Sequence, residues 1–342
     1  MSFLKPVISI VTPTYNRKDE LIHLIKSIQK QSLSSKYFEM IISDDGSTDG
    51  TSEIVKKWQK ENLFNLIYVF QKNLGPGSAR NSGVKSSNGE LIVFIDSDCE
   101  ADVDWLQNIY RSYKNNDFDA FGGPDQAKKS FLPIQRAINF SMTSFLTTGG
   151  MRGHNKNMVA KFYPRSHNMG VKKELFDKVG GFGSLRHGQD IELSNRIIKE
   201  NAKVKLLENV IVYHRRRTTL MQFFRQVFNW GAARINLAKM DGNMLQIIHF
   251  VPSLATSLAF IVILGFVFYP KLFLNYIIAG FLALCIICIY GGLKTRSFLV
   301  SSHLFLVVPM QIFGYGLGFI IAFIKRFILK QKLFTGFQKK YY

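Results

Sequence analysis

Cysteine is almost missing from this 342-residue chain: Cys99, Cys285 and Cys288 are the whole set. Three thiols build no disulfide framework and suit a reducing compartment. Cys285 and Cys288 have a C-x-x-C spacing, but they lie in an apolar stretch and read as packing within a membrane helix. Acidic residues are also scarce, with 24 Asp+Glu against 44 Lys+Arg and a formal net charge of +20. Nucleic acid is one partner for such a surface; anionic lipid headgroups and phosphorylated substrates are others. The membrane-like last third favours the latter two, and no nucleic-acid partner is expected. Met1 to Pro6 has no apolar core, and the first hydrophobic run, Val7 to Val11, is too short for a secretory signal. The first part of the chain is therefore expected in the cytosol. No Gly-x-Gly-x-x-Gly follows that run, which excludes the dinucleotide fingerprint, and Gly75-x-Gly77 lacks the Lys-Ser/Thr of a phosphate loop.

What is there is alternation. Val7–Val11, Phe38–Ser43, Leu66–Phe70 and Glu90–Ile95 read as buried strands. Between them Leu21, Leu24, Ile25 and Ile28, then Ile54, Val55 and Trp58, recur at helical spacing, and Pro76 opens a third helix toward Ser87. Strands alternating with helices predict an α/β fold, mostly parallel, with helices on both faces. Residues 121–167 lose the pattern and read as a long excursion over the active face. Order returns with Asn168-Met-Gly-Val171, followed by a short helix at Lys173–Val179, a helix at about Asp190–Glu200, and a strand from about Val204 to Tyr213 that ends at His214.

Residues 218–246 interleave Phe223, Phe224, Phe228 and Trp230 with Arg225, Arg234 and Lys239. Two readings stand: amphipathic helices in a membrane interface, or a cover for the sheet edge. Three apolar segments follow, at 247–269, 272–292 and 298–324, each near or above the roughly 20 residues that cross a bilayer. A basic tail, 325–342, closes the chain. Its lysines favour the cytosolic side. Pro309, Gly314, Gly316 and Gly318 suggest that the third segment breaks, so two full crossings, a broken third element and a cytosolic tail are expected. The domains expected are thus 1–217, 218–246, 247–324 and 325–342.

Four polar signatures follow the four strands in order: Thr12-Pro-Thr-Tyr-Asn16, Asp44-Asp-Gly-Ser-Thr-Asp-Gly-Thr51, Asn73-Leu-Gly-Pro-Gly-Ser-Ala-Arg-Asn81 and Asp96-Ser-Asp98. All fall at the carboxyl edge of the sheet, where open α/β sheets bind ligands. Two carboxylates one residue apart at a strand end can hold a hard divalent cation against a diphosphate. An Asx turn after a strand is the structural alternative.

In these motifs the chain resembles inverting glycosyltransferases of family 2, with the GT-A nucleotide-diphosphate-sugar fold, over about residues 5–235. The resemblance implies a membrane-bound, metal-dependent transferase taking a nucleotide-sugar, with uridine favoured, to a lipid-linked or cell-surface glycan acceptor. It would work at the cytoplasmic membrane with a cytosolic catalytic domain and membrane lipids around its last third. Pro13, Tyr15, Asp45, Arg80, Asp96 and Ser97 would bind the nucleotide-sugar. Tyr15 would cover the base, Asp45 accept from a pyrimidine imide, and Arg80 reach the base or the diphosphate. Asp98, Asp96 and His214 would hold Mn²⁺ or Mg²⁺; Asp96 would alternatively hold ribose or sugar hydroxyls, and a strand-end His is equally at home as a structural residue. Asp190, in His187-Gly-Gln-Asp-Ile-Glu-Leu193, matches the family's catalytic base, with Gln189 where many relatives have Glu. Gln222-Phe-Phe-Arg225 is followed by Gln226, where processive synthases carry Trp, which argues for transfer of one or few sugars. Arg215, Arg216 and Arg217 would meet donor phosphate, acceptor phosphate, lipid headgroups or only solvent. In the 124–167 excursion Arg152, His154, Arg165 and His167 are acceptor candidates. Two rivals remain: a polyprenyl-phosphate sugar synthase, and a non-catalytic membrane scaffold that keeps the nucleotide fold.

Overall fold

A computed structural model describes residues 5–148 and 161–337. Strands β1 (Ile8–Thr14), β2 (Phe38–Asp44), β3 (Asn65–Phe70) and β4 (Leu91–Ile95) alternate with helices α1 (Lys18–Gln29), α2 (Thr51–Glu61) and α3 (Pro76–Lys85). The four strands are parallel, in the order β3-β2-β1-β4. Strands β1, β2 and β4 are buried on both faces, which is why they read as mainly apolar runs; Ser9 and Glu39, polar residues inside the first two, hydrogen-bond to each other at 2.6 Å. Helix α1 turns Leu21, Leu24, Ile25 and Ile28 inward, and its first free N–H, on Lys18, donates to Asp49 Oδ2 at 2.9 Å.

Then come β5 (Cys99–Ala101), α4 (Trp105–Lys114), β6 (Ala120–Gly122), β7 (Asp125–Gln126), α5 (Pro133–Thr143), α6 (Phe145–Thr148), β8 (Asn168–Lys172), α7 (Lys173–Lys178), α8 (Gln189–Lys199), β9 (Val204–Leu206) and β10 (Val212–His214). Strand β8 extends the main sheet antiparallel to β4, followed by β6 and β9; β5, β10 and β7 form a second, three-stranded sheet. The single strand expected over Val204–Tyr213 is two. Leu207 N donates to Gly122 O and Val210 N to Leu207 O, and the chain turns there from one sheet to the other. Asn168 joins the sheets: its Oδ1 accepts from Trp105 Nε1, and its Nδ2 donates to Val210 O at 2.7 Å.

The rest is helical: α9 (Leu220–Met240), α10 (Val251–Phe268), α11 (Pro270–Thr295) and α12 (Phe298–Phe323). Three helical stretches, Ile247–Phe268, Pro270–Thr295 and Phe298–Ile328, are long and apolar enough to cross a membrane. The expected break in the third does not occur: α12 runs through Pro309. Its glycines are contact points instead of breakers. A Cβ on Gly318 would stand 2.0 Å from Phe228 O, and one on Gly316 2.7 Å from Pro252 O. From the other side, a Cβ on Gly231 of α9 would stand 2.1 Å from Tyr315 O. Helices α9 and α12 therefore touch backbone to backbone. Helix α9 packs chiefly on other helices and not on the sheet edge: Phe223, Val227, Ala232 and Ile235 are buried against α5 and α12. After α12 the tail folds back along α9, where Asn236 Nδ2 donates to Phe334 O at 2.8 Å.

Overpacking that seam should be destabilising. Gly318→Val is expected to cost about 1–3 kcal/mol, read as a lowered melting temperature of the full chain in detergent. Gly242→Ala, whose Cβ would meet nothing within 4 Å, should leave it unchanged.

Candidate active site

The ends of β1–β4 place their loops side by side. Asn16, at φ +49°, accepts from Thr48 N at 2.7 Å, and Asp44 Oδ1 accepts from Ser47 N at 2.8 Å. The second motif is thus latched onto the first. Pro13 is buried within β1, opposite Ser43 of β2, and Ser97 is buried beneath the fourth loop. Tyr15 lines a cleft of about 1040 Å³ with Arg17, Arg217, Gln222 and Arg225. Asp45 does less outwardly than its type suggests. It is fully buried, and its carboxylate accepts from Gln71 Nε2, Leu74 N and Gly75 N at 2.6–2.9 Å. It closes the β3–α3 loop and leaves little acceptor capacity for a base. Arg80 is likewise turned to its own chain: Nη2 donates to Asp96 Oδ1 at 2.7 Å, with the guanidinium 5.2 Å from the centre of the Phe182 ring.

Asp98 sits between two cations. Arg17 Nη1 lies 2.9 Å from Oδ2, and His214 Nε2 lies 3.2 Å from Oδ1. Burial alone would raise this carboxyl, but the His214 charge and then Arg17 overcome it and hold Asp98 well below the usual carboxylate range. Burial likewise disfavours a charged His214, and Asp98 outweighs it, raising the imidazole. Asp98 and His214 converge on one point and suit a divalent ion, a carboxylate oxygen and an imidazole nitrogen being ordinary ligands. Cys99 closes a ligand triangle with them, but burial pushes its thiol far up and keeps it protonated. Asp96, expected to share the ion, belongs to no such cluster among the described residues and is committed to Arg80.

Behind His214 lies a residue that sequence reading missed. Asp125 is fully buried, with Oδ2 3.5 Å from His214 Nδ1 and 3.8 Å from His167 Nε2. Arg216 donates to the same oxygen and sets Nη1 3.0 Å from His214 Nδ1. Such outer carboxylates orient a ligating imidazole. The three arginines thereby separate. Arg215 is paired with Glu100 at 2.8 Å and Arg216 with Asp125. Arg217 faces the cleft; burial, then the Arg17 charge, pull it below its ordinary value. All three line the cleft, but Arg215 and Arg216 are paired with buried carboxylates, and among the described residues Arg217 forms no salt bridge with a carboxylate.

Asp190 opens α8 after Gly188, whose φ of +82° suits glycine. It lines a second cavity, of about 270 Å³, together with Asp96 and His214. Among the described residues the cation paired with it is Arg165, Nη1 to Oδ2 3.8 Å. The two cavities share Arg216, Gln226 and Trp230. Arg165 and His167, from the excursion, both line the second one, whereas Arg152 and His154 lie outside the described residues. Sequence reading also missed Arg17. Its signal was a lone base in the loop after Tyr15-Asn16, indistinguishable there from a surface charge. Asp125 had none beyond its place after Gly122-Gly-Pro124.

A sequence profile described as "Glycosyl transferase family 2" matches residues 9–180, half of the chain. Glycosyltransferase AglE of Haloferax volcanii is 24% identical over 80% of this chain and 86% of its own. The putative teichuronic acid biosynthesis glycosyltransferase TuaG of Bacillus subtilis is 35% identical over 108 residues, 31% of this chain and 42% of its own. Validoxylamine A glucosyltransferase of Streptomyces hygroscopicus subsp. limoneus is 34% identical over 110 residues, 32% of this chain but 24% of its own. Of two of these three curated relatives, then, the chain spans less than half the length. Among solved structures, mannosyltransferase PcManGT from Pyrobaculum calidifontis, in complex with GDP-Man and Mn²⁺, aligns over 90% of this chain and 87% of its own. Its TM-score is 0.64 at 16% identity, a likeness of fold.

Removing Asp125 strands a buried guanidinium. Asp125→Ala is expected to cost roughly 3–5 kcal/mol in thermal or chemical unfolding. Lys178→Ala, which breaks an exposed pair with Glu200, should cost under about 1 kcal/mol. Equal losses would show that Asp125 is not the counter-ion that matters.

Proposed function

The chain belongs to glycosyl transferase family 2, and from that premise we propose a metal-dependent, inverting sugar transfer from a nucleoside-diphosphate donor to a hydroxyl of a lipid-linked or cell-surface glycan. One observation carries this reading: Asp190, Asp96 and His214 line a single cavity at the carboxyl edge of the parallel strands. A carboxylate meant to activate an acceptor must share a space with the group that holds the donor.

The donor diphosphate fits the cleft with Tyr15, Arg17 and Arg217, and Asp98 with His214 would hold Mn²⁺ or Mg²⁺ beside it. The ion, when bound, neutralises the charge that grows on the departing diphosphate. Arg217 and Arg17 add fixed positive charge on the same side. Asp190 stands opposite and takes the proton from the acceptor hydroxyl as its oxygen attacks the anomeric carbon. Attack from the face away from the leaving group inverts that carbon. Asp45 has one Oδ2 lone pair for an imide N–H, so uridine is the first donor to try and guanosine the second. Gln226 in place of Trp supports short rather than processive transfer.

The membrane arrangement follows from packing. Helix α12 meets α11 at Cys288, Gly291 and Gly292, and meets α10 at Pro252 and Thr256. These are the same end of the α10–α11 hairpin. In this reading the hairpin crosses the cytoplasmic membrane twice. Helix α12 lies across its base, against α5 and α9, and the tail returns to the cytosolic catalytic domain. The hairpin's spanning windows are 11% and 6% buried, against 39% for α12, which supports that division.

Asp190→Asn should lower transfer by about 10²–10⁴-fold while nucleotide binding, measured by titration with UDP and GDP in Mn²⁺, stays within about twofold. Near-normal turnover toward a lipid phosphate would instead support a synthase whose acceptor needs no base. Asp98→Asn should abolish the Mn²⁺ dependence of nucleotide binding; its persistence would place the ion elsewhere.

A further inference from the structure

The second cavity has a charged end that the reaction above does not use. Arg234, on the inner face of α9, lines it together with Arg165, His249, Gln311 and Tyr315. Among the described residues Arg234 has no carboxylate within 4 Å, and the stretches outside them contain no Asp or Glu. Its neighbours are the Tyr315 hydroxyl, the Arg165 guanidinium and, at 3.4 Å, the Met244 carbonyl. Burial, and then the repulsion of Arg165, pull Arg234 below its ordinary value. Among the described residues Arg165 is paired with one carboxylate, Asp190, at 3.8 Å. Asp241, the other acid nearby, is taken by Lys199 at 2.6 Å and by Asn195 at 2.9 Å. Gln311 Oε1 is buried without a partner at the same end. Two guanidinium groups thus share one carboxylate in a confined space, and a buried positive charge of this kind calls for an anion.

The walls say where the anion comes from. Pro252 and His249 stand at the start of α10, and Gln311, Ile312 and Tyr315 lie on the part of α12 that crosses the hairpin base. Met142, Val227 and Trp230 complete an apolar side. A ligand entering here brings its charge to the level where the apolar hairpin begins. We propose that Arg165 and Arg234 recognise the phosphate that joins lipid to glycan in a lipid-linked acceptor, whose apolar chain leaves between α9, α10 and α12 and whose glycan hydroxyl, not the phosphate, is presented to Asp190. The proposal deepens the transferase reading and rests on it for the word acceptor. Arg165 then serves two anions, the lipid phosphate and Asp190, and sets the acceptor within reach of the base.

Binding tests it without any donor. The full chain in detergent would be titrated calorimetrically with geranylgeranyl phosphate, geranylgeraniol and inorganic phosphate. The phosphate ester is expected to bind, with the alcohol and the free ion each at least about tenfold weaker. Arg234→Gln should weaken the ester about ten- to hundred-fold, and Arg234→Lys should recover much of that loss. Arg165→Gln gives a second, independent reading should Arg234→Gln fold poorly by its melting curve. Wild-type affinity in both Gln variants overturns the site. Equal affinity for geranylgeraniol overturns the role of charge, and equal affinity for inorganic phosphate overturns the lipid source. Failure of Asp190→Asn to slow transfer would sink the base and leave this binding untouched.

Discussion

A single carboxylate ties the site together. Asp98 follows β4, Arg17 precedes α1 and His214 ends β10, three stretches far apart in the chain. Their mutual attraction closes the loops after β1 and β4 over the start of the small sheet. The interaction is strong because it is sheltered: the Asp98 side chain is 13% exposed and His214 15%. It is also expendable in the sense that matters for binding. On the proposed reading, a cation between Asp98 and His214 would supply the positive charge that faces Asp98, within a frame held by Asp125 and Arg216.

Most of the frame was legible in the sequence because it is local. A buried parallel strand announces itself as an apolar run, and a polar motif directly after it can only lie at the carboxyl edge. Tyr15, Asp45, Asp96 and Asp98 were located this way. The partners were not, because partnership is non-local. Nothing in Gly122-Gly-Pro-Asp125 distinguishes a surface turn from a fully buried carboxylate, and nothing in Arg215–Arg217 tells which of the three is spent on Glu100 or Asp125. Asp45 and Arg80 illustrate the opposite limit. Their types suggested ligand contacts, and the fold gives each a protein partner first. The strand over Val204–Tyr213 was misread because its apolar residues serve two sheets in turn.

The membrane region was misread for a different reason. Proline and clustered glycine are breakers when a helix must rely on its own hydrogen bonds. In α12 they sit where other helices press closely. Gly314 and Gly318 meet α9, and Gly316 meets α10. Composition alone cannot separate a glycine that ends a helix from one that admits a neighbour. That difference also changes the meaning of the apolar count, because a helix of membrane-like composition can be buried against protein along one whole side.

Helix α9 borders both the cleft and the second cavity. Gln226 and Trp230 are four residues apart, on one face, and both line the cleft with Tyr15 and the cavity with Asp190. On the proposed reading, donor and acceptor approach from opposite sides of that face, and the reacting carbon must pass beside it. The aromatic ring of Trp230 stands about one helical turn after Gln226. The position of that ring is not set by the catalytic domain alone. Gly231 lies against the α12 backbone, so a shift of α12 would carry Trp230 with it. On that same reading the wall between the two substrates would be held from the α12 side, so the glycine seam would bear on where transfer takes place as well as on stability.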